Sequence, residues 1–388
     1  MTSTAERFSS IDARTRHLAA PLAVVDLDAL GRNAADLVRR AGGKPIRIAT
    51  KSVRCRSVLN WAANQVGFRG LMAYSLPEAL WLARNGAEDV LVAYPSVDAA
   101  SIAELSRDEK LRACVTLMVD HPDHLRLIDG HASAPVRTCL DIDASLRIGR
   151  IHLGVRRSPL RTVSDVLAML GQARGMKQVN VVGLMCYDAQ IAGVPDSSPI
   201  VRAMKRRSAA DLARRRATIV AAVRQQVNLE FVNGGGTGSL GVVSQHDDLT
   251  ELAAGSGLFG PTLFDGYDDF TPEAALVYAL PVVRIPADRV RTVFSGGYLA
   301  SGPVGKSRVP TPIWPAGLRL LRNEGAGEVQ TPVTGPAAHS LEIGDRVWWR
   351  HAKAGEVCER FSQLILLDQA SPDLRTVPTY RGEGWCFG

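Results

Sequence analysis

"GLMAYSLPEALWLARNGAEDVLVAYP", residues 70–95, decides how the rest of the chain is read. It opens on a short apolar run, GLMAYS, and closes on another, DVLVAYP. Between them SLPEALWLARNG spaces its apolar residues as an amphipathic helix does and ends on Gly86, where a helix needs a left-handed cap. A connection that contains a helix joins parallel strands rather than a hairpin.

The same unit recurs along the first two-thirds of the chain. Apolar runs at IRIATKS (46–52), ACVTLMVD (113–120), VRTCLDID (136–143), VNVVGLMCYDA (179–189), LEFVNGG (229–235) and ELAAGSGLFG (251–260) join the two above. Amphipathic stretches such as TVSDVLAMLGQARG, which also ends on a glycine, separate them. Eight strands alternating with helices predict an α/β fold, a closed TIM-like (β/α)8 barrel, with a doubly wound open sheet as the alternative. After about residue 270 the pattern changes to strand-like runs between Pro, Gly and Asn turns: ALVYALPVVRIP, RVRTVFSGGYLAS, GEVQTPVTG, GDRVWWRHA and FSQLILLD. The expected organisation is a barrel over residues 22–270 and an all-β domain over 271–388, with 1–21 able to pack on the latter.

Composition excludes several functions. The 388 residues are 46% hydrophobic and 22% charged, the balance of a folded chain with a sizeable core. The N-terminal stretch is polar and no run reaches the roughly 18 apolar residues of a membrane span, so a cytoplasmic protein is expected. Six scattered cysteines contain no CxxC pair and read as buried thiols rather than disulfides or a zinc ribbon. The net charge of +7 includes two arginine clusters in MKRRSAADLARRRATIV, but they read as one solvated helix face. No aromatic residues interleave with them to stack on bases, which argues against nucleic acid as a partner. An anionic small molecule is the more economical use of the charge. A homodimer is compatible with the sequence.

Active sites of such barrels lie at the C-terminal strand ends. Lys51 ends the first strand, Arg147 follows the fifth in CLDIDASLRIG, and Tyr187 follows the sixth in GLMCYDAQ. The seventh runs into NGGGTGS, with Gly235, Gly236 and Thr237, and the eighth into Gly255, Ser256 and Gly257. Glycines with hydroxyl residues let backbone N–H groups approach a phosphate closely, although a glycine run can also be a tight strand-to-helix turn. A phosphate cradle on one rim with a strand-end lysine suggests pyridoxal 5'-phosphate, whose aldehyde needs an amine. Arg147 would face the pyridine nitrogen; its other reading is a surface arginine or an ion pair to Asp141 or Asp143.

The segments PLAVVDLDAL, IRIATKS, DIDASLRIG, GLMCYDAQ, FVNGGGTGS and ELAAGSGLFGPTLFD, in this order, resemble the fold type III pyridoxal-phosphate enzymes of the alanine racemase N-terminal domain family. Within it the chain is most similar to the D-threonine aldolase and D-serine dehydratase branch, including proteins called amino acid deaminase/aldolase. The resemblance implies Lys51 as covalent anchor of the cofactor and Arg147 at the pyridine nitrogen. It implies Tyr187, Gly236, Thr237, Gly255 and Ser256 around the phosphate. The expected activity is a lyase reaction on β-hydroxy amino acids of D configuration, by retro-aldol cleavage or dehydration with deamination. A racemase, with Tyr298 or Tyr380 as second base, and a non-catalytic cofactor carrier are the alternatives.

Two departures from that branch matter. Its divalent metal is held by a histidine and an aspartate or cysteine two residues on, whereas here His351 is followed by Lys353. An ammonium does not ligate a metal, but its charge can polarise a hydroxyl or carboxylate. Glu356 and Cys358 are nearby donors for a rearranged site with His351, which otherwise reads as a satisfied core residue. The branch also has a histidine shortly after the strand-six tyrosine, where this chain has Asp188 and Gln190. The base is then left to Asp188, His351, Lys51 or Tyr187.

Overall fold

The structure, a computed structural model, describes residues 4–388 and divides into two compact units. One takes in Asp36–Lys51 and Leu59–Gly255; the other takes in the chain up to Ala35, Ser52–Val58 and Ser256–Cys386.

Eight parallel strands close the first unit into a barrel. In chain order they are Ile46–Ala49, Phe68–Ala73, Val90–Val92, Val115–Val119, Val136–Asp141, Val179–Cys186, Phe231–Gly234 and Glu251–Ala254, each within one of the apolar runs except Phe68–Ala73, which starts before the run GLMAYS. The open-sheet alternative falls, because the last strand pairs with the first, Leu252 opposite Ile46. Side chains pointing inward from alternate positions fill the barrel: Met72, Leu91, Ala93, Met118, Cys139, Val182, Met185, Phe231 and Ala253 pack into one cluster. At Gly183 the filling needs a missing side chain, since a Cβ there would lie 2.3 Å from the Phe231 ring.

A buried charge network accompanies this filling. The Arg47 guanidinium bridges Glu251 at 2.7 Å and Asp89 at 2.7 Å, and lies over the Phe231 ring. Asn233 donates to the same Glu251 carboxylate. Such a group is costly to bury unless paired, and here all its charge is met.

The helices behave as their sequences require, with two exceptions. Leu76–Arg84 starts where the Ser75 hydroxyl accepts from the Glu78 N–H and is followed by Gly86 at φ +94°, the left-handed cap expected there. Val163–Arg174 ends differently: Gly175 stays right-handed at φ −77°, its N–H still reaching back to the last helical carbonyls. The long helix Pro199–Arg224 also corrects the reading of one solvated arginine face. Arg206, Arg207 and Arg214 are exposed, but Arg216 is buried against Asp248 and Arg215 donates to the Asp143 carbonyl. Part of the positive charge is therefore structural.

The second unit is built on a nine-stranded sheet. The strands expected after residue 270 are present as Leu276–Ala287, Val290–Phe294, Gln330–Thr334, Arg346–Arg350 and Gln363–Leu367. Leu22–Asp26 lies inside the same sheet, antiparallel to Leu276–Ala287 on one side and parallel to Gln363–Leu367 on the other. The helix Thr4–Thr15 covers it through Phe8 and Ile11, which pack with Leu22, Val24 and Trp348. Asp12 on this helix accepts from the Trp348 indole at 2.9 Å. Five of the six cysteines are buried and unbridged; Cys386 is exposed and also free. Among the described residues no helix is long and apolar enough to cross a membrane.

Candidate active site

The first barrel strand stops at Ala49, and a tight turn over Thr50–Ser52 lifts Lys51 onto the C-terminal rim. There the Lys51 Nζ donates to the Tyr94 hydroxyl at 2.7 Å. Tyr94 stands just past the third strand, its ring packed on the barrel filling together with Tyr187. Burial pushes the Tyr94 hydroxyl up, but the charge and hydrogen bond of Lys51 and then those of Arg157 outweigh it, leaving its pKa below the ordinary 10. For Tyr187 burial first, then Asp188, outweigh the Arg157 charge and raise it to about 12, too high for a ready base.

Arg157 is the guanidinium at this rim. It lies 5.4 Å from the Tyr94 ring centre and 5.3 Å from that of Tyr187, within cation–π range of both. Arg147, singled out from the sequence, sits instead on a hairpin of Leu146–Ile148 and Ile151–Leu153. Its side chain is 46% exposed and pairs with Asp143 at 2.7 Å, the ion-pair reading left open above. Asp143 also accepts from Ser145 and Arg161; burial opposes its ionisation, yet these partners keep it ionised below the usual carboxylate range. Asp141, at the end of the fifth strand, lacks such donors and is raised to about 7 by burial and by Asp120.

The seventh and eighth strands pair in parallel, Gly234 opposite Leu252, so the Gly235–Thr237 stretch and Gly255 share one rim. Gly235 takes φ +79°, which a side chain would resist. At Gly236 the space is what matters: a Cβ would lie 2.8 Å from Ala192 Cβ and 3.2 Å from Tyr187. The loop is held from behind. Ser239 Oγ accepts from the Gly236 N–H and donates to Asp188, and Arg40 donates to the Thr237 carbonyl. Asp188 is fully buried and raised to about 7, burial outweighing the Ser239 hydrogen bond and the charges of Arg216 and Lys205. It braces the loop, and Gln190 braces the hairpin side by donating to the Ala144 carbonyl and Ser208. Gly255 leads directly into the short helix Ser256–Phe259, which contains Ser256 and Gly257.

In the β unit, His351 directly follows the strand Arg346–Arg350. It is buried as expected, but it is not satisfied: neither ring nitrogen has a hydrogen-bond partner, and the ring meets Phe259 edge-on. Burial and then the Arg350 charge push its pKa down to about 3, so the imidazole is neutral. Lys353 Nζ donates to the Ser301 carbonyl at 3.0 Å, and Glu356 accepts from the Ser301 N–H at 2.8 Å. Cys358 is a buried thiol whose pKa burial raises well above 9.0. Tyr298 is packed against Tyr278 and Phe361, and Tyr380 is fully buried. Among the described residues no three His, Cys, Asp or Glu side chains gather as a metal site.

Residues 25–262 match the family described as alanine racemase, N-terminal domain, which is more than half of the chain. The chain belongs to this family. Alanine racemase N-terminal domain proteins with similar sequences include a D-threonine aldolase of Arthrobacter sp, 28% identical over 239 residues, 58% of this chain and 58% of that protein. The alignment thus spans less than two-thirds of that relative. Solved structures extend the likeness in fold. A D-threonine aldolase from Filomicrobium marinum has a TM-score of 0.77 at 19% identity, covering 94% of this chain and 96% of its own. A D-threo-3-hydroxyaspartate dehydratase from Delftia sp. has a TM-score of 0.72 at 19% identity, covering 94% and 98%.

Of the residues named from the sequence, Lys51, Tyr187 and the glycine loop lie on this rim, and the structure sets Arg157 and Tyr94, which the sequence reading did not name, beside them. Tyr94 had a usable signal: it stands at a strand end, as Tyr187 does.

Proposed function

We propose that this chain is a pyridoxal-phosphate-dependent lyase for β-hydroxy amino acids of D configuration. The observation that carries the reading is Lys51 on the barrel rim, its amine hydrogen-bonded to a tyrosine of lowered pKa, with the glycine loop that follows the seventh strand on the same rim. The family membership supports the cofactor. The names of the similar proteins, a D-threonine aldolase and a D-threo-3-hydroxyaspartate dehydratase, support the substrate class.

The residues present fit the cofactor. Lys51 would hold its aldehyde carbon, while Gly235, Gly236, Thr237, Gly255, Ser256 and Gly257 would line its phosphate, with Tyr187 beside them, the Gly236 N–H excepted as a donor because Ser239 accepts from it. We assign to Arg157, rather than Arg147, the place beside the pyridine ring, because Arg157 is the guanidinium that lies among Tyr94 and Tyr187. A permanent cation there leaves the ring nitrogen unprotonated. When bound, the cofactor supplies an electron sink for the charge left at Cα as a bond to it breaks.

The chain's own residues would move the protons. The Tyr94 hydroxyl, lowered by two neighbouring cations, can exchange a proton with the Lys51 amine through the bond between them. A neutral His351 imidazole, its pKa pushed down to about 3, can accept a hydrogen bond from a hydroxyl but is too weak a base to take its proton, and the Lys353 ammonium can polarise a hydroxyl or carboxylate. Asp188 is committed to the loop and takes no part.

The test is the visible spectrum of the purified protein beside Lys51→Ala, before and after D-threonine and D-threo-3-hydroxyaspartate. A yellow band that requires Lys51 and shifts with the D-amino acid supports the reading. Release of an aldehyde marks cleavage, and a 2-oxo acid with ammonia marks dehydration. A protein that cannot be made to take up the cofactor sinks it.

A further inference from the structure

The position two residues after His351, from which the D-threonine aldolase branch holds its metal, is occupied here by a cation that is already in use. Lys353 donates to the Ser301 carbonyl while Glu356 accepts from the N–H of the same residue, so the two side chains clamp one backbone unit from both ends. Glu356 is thereby engaged. Cys358 would have to lose its proton to ligate a metal, and burial opposes that. The Arg350 guanidinium, which donates to the Gly260 carbonyl, also acts on His351 as a like charge to any cation bound there. The unpartnered ring nitrogens of His351 remain as neutral sites for a hydroxyl or another hydrogen-bonding ligand.

We infer that this chain works without a divalent metal, the Lys353 ammonium, clamped through Ser301, taking the place of the cation that its relatives' branch holds beside the corresponding histidine. The inference rests on the proposed function for the use of that charge. It does not rest on it for the exclusion of the metal, which concerns only the residues of the β unit.

Manganese chloride titrated calorimetrically into the full-length holoenzyme tests it. Wild type should show no saturable site up to about 1 mM, the weak end of biological divalent sites. Its reaction rate and visible spectrum should survive dialysis against EDTA. Lys353→Asp restores the branch's ligand pair and should bind manganese at least about tenfold tighter than wild type, as an added carboxylate ligand would. Lys353→Cys serves the same purpose if the aspartate variant fails to fold. One manganese or zinc per wild-type chain, removed by EDTA together with activity, would overturn the inference. So would a folded Lys353→Asp or Lys353→Cys with no gain in affinity, since Lys353 would then not be what excludes the metal. Because the titration requires no turnover, a chain that binds cofactor but transforms nothing would sink the proposed function and leave this result to be read separately.

Discussion

Replacing Asp188 with asparagine should change how the stability of the protein depends on pH. Asp188 lies fully buried behind the glycine loop and its carboxyl is raised from 3.8 to about 7, chiefly by burial. In the unfolded chain it gives up its proton near pH 4; in the folded protein it keeps it until about pH 7. Between those values the native state binds more protons, so the contribution of Asp188 to stability is full below the unfolded pKa and is lost as the pH rises through about 7. Three pH units at about 1.4 kcal/mol each give a total loss of about 4 kcal/mol. Asparagine keeps the shape and an oxygen to accept from Ser239 but carries no titrating proton. Measured by urea unfolding with circular dichroism on cofactor-free protein, Asp188→Asn should gain about 2–3 kcal/mol on the parent between pH 5 and pH 8. Asp141, raised in the same direction, is present in both proteins and cancels. Parallel stability profiles for the two proteins over this range would refute the reasoning, because they would mean that Asp188 ionises in the folded state as it does in water.

Other substitutions separate the roles assigned above. Tyr94→Phe removes the acceptor of the Lys51 amine but no packing, so the Lys51-dependent band should persist while kcat falls about 10²-fold or more. Arg157→Met should weaken cofactor retention and shift the visible band, whereas Arg147→Met, which touches only the hairpin and Asp143, should leave both near wild type in a dialysis and spectral assay. Arg47→Met leaves Glu251 and Asp89 without their counter-ion and should cost about 3–5 kcal/mol in urea unfolding, with no direct effect on the rim.

The barrel was legible because each strand announces itself as an apolar run of the right length, and eight such runs separated by helical spacing leave few other arrangements. Lys51 and the glycine loop were legible because a strand end fixes which rim they join. Arg157 was not. The stretch LRIGRIHLGVRRS holds four arginines, and the first stands at the plausible distance from the strand end. The choice turns on a small hairpin: Gly149 at φ +55° turns the chain so that Ile148 meets Ile151, and this carries Arg147 onto a half-exposed edge before Arg157 returns to the rim. The alternation around Gly149 is visible in the sequence, but its strands are three residues each, too short to announce themselves. The arginines at 215 and 216 misled for a related reason: charge alone does not reveal a buried carboxylate or carbonyl waiting across a helix.

The Leu22–Asp26 strand has a bearing on how the chain can be synthesised and handled. It is an interior member of its sheet, and both of its neighbours lie more than 250 residues downstream, Ala279 opposite Leu22 and Ile365 opposite Val24. Apart from the first and last, which close the barrel with Ile46 opposite Leu252, the barrel strands pair with partners that emerge soon before or after them, so most of that unit can assemble while the ribosome is still working. The Leu22–Asp26 strand must wait, its edges unmet, until almost the whole polypeptide has been made. Deleting residues 1–26 would therefore split a sheet down its middle rather than trim an end, and such a chain should be insoluble under conditions that keep the full chain in solution. Comparison of soluble yields for the two chains would show whether the sheet depends on this strand.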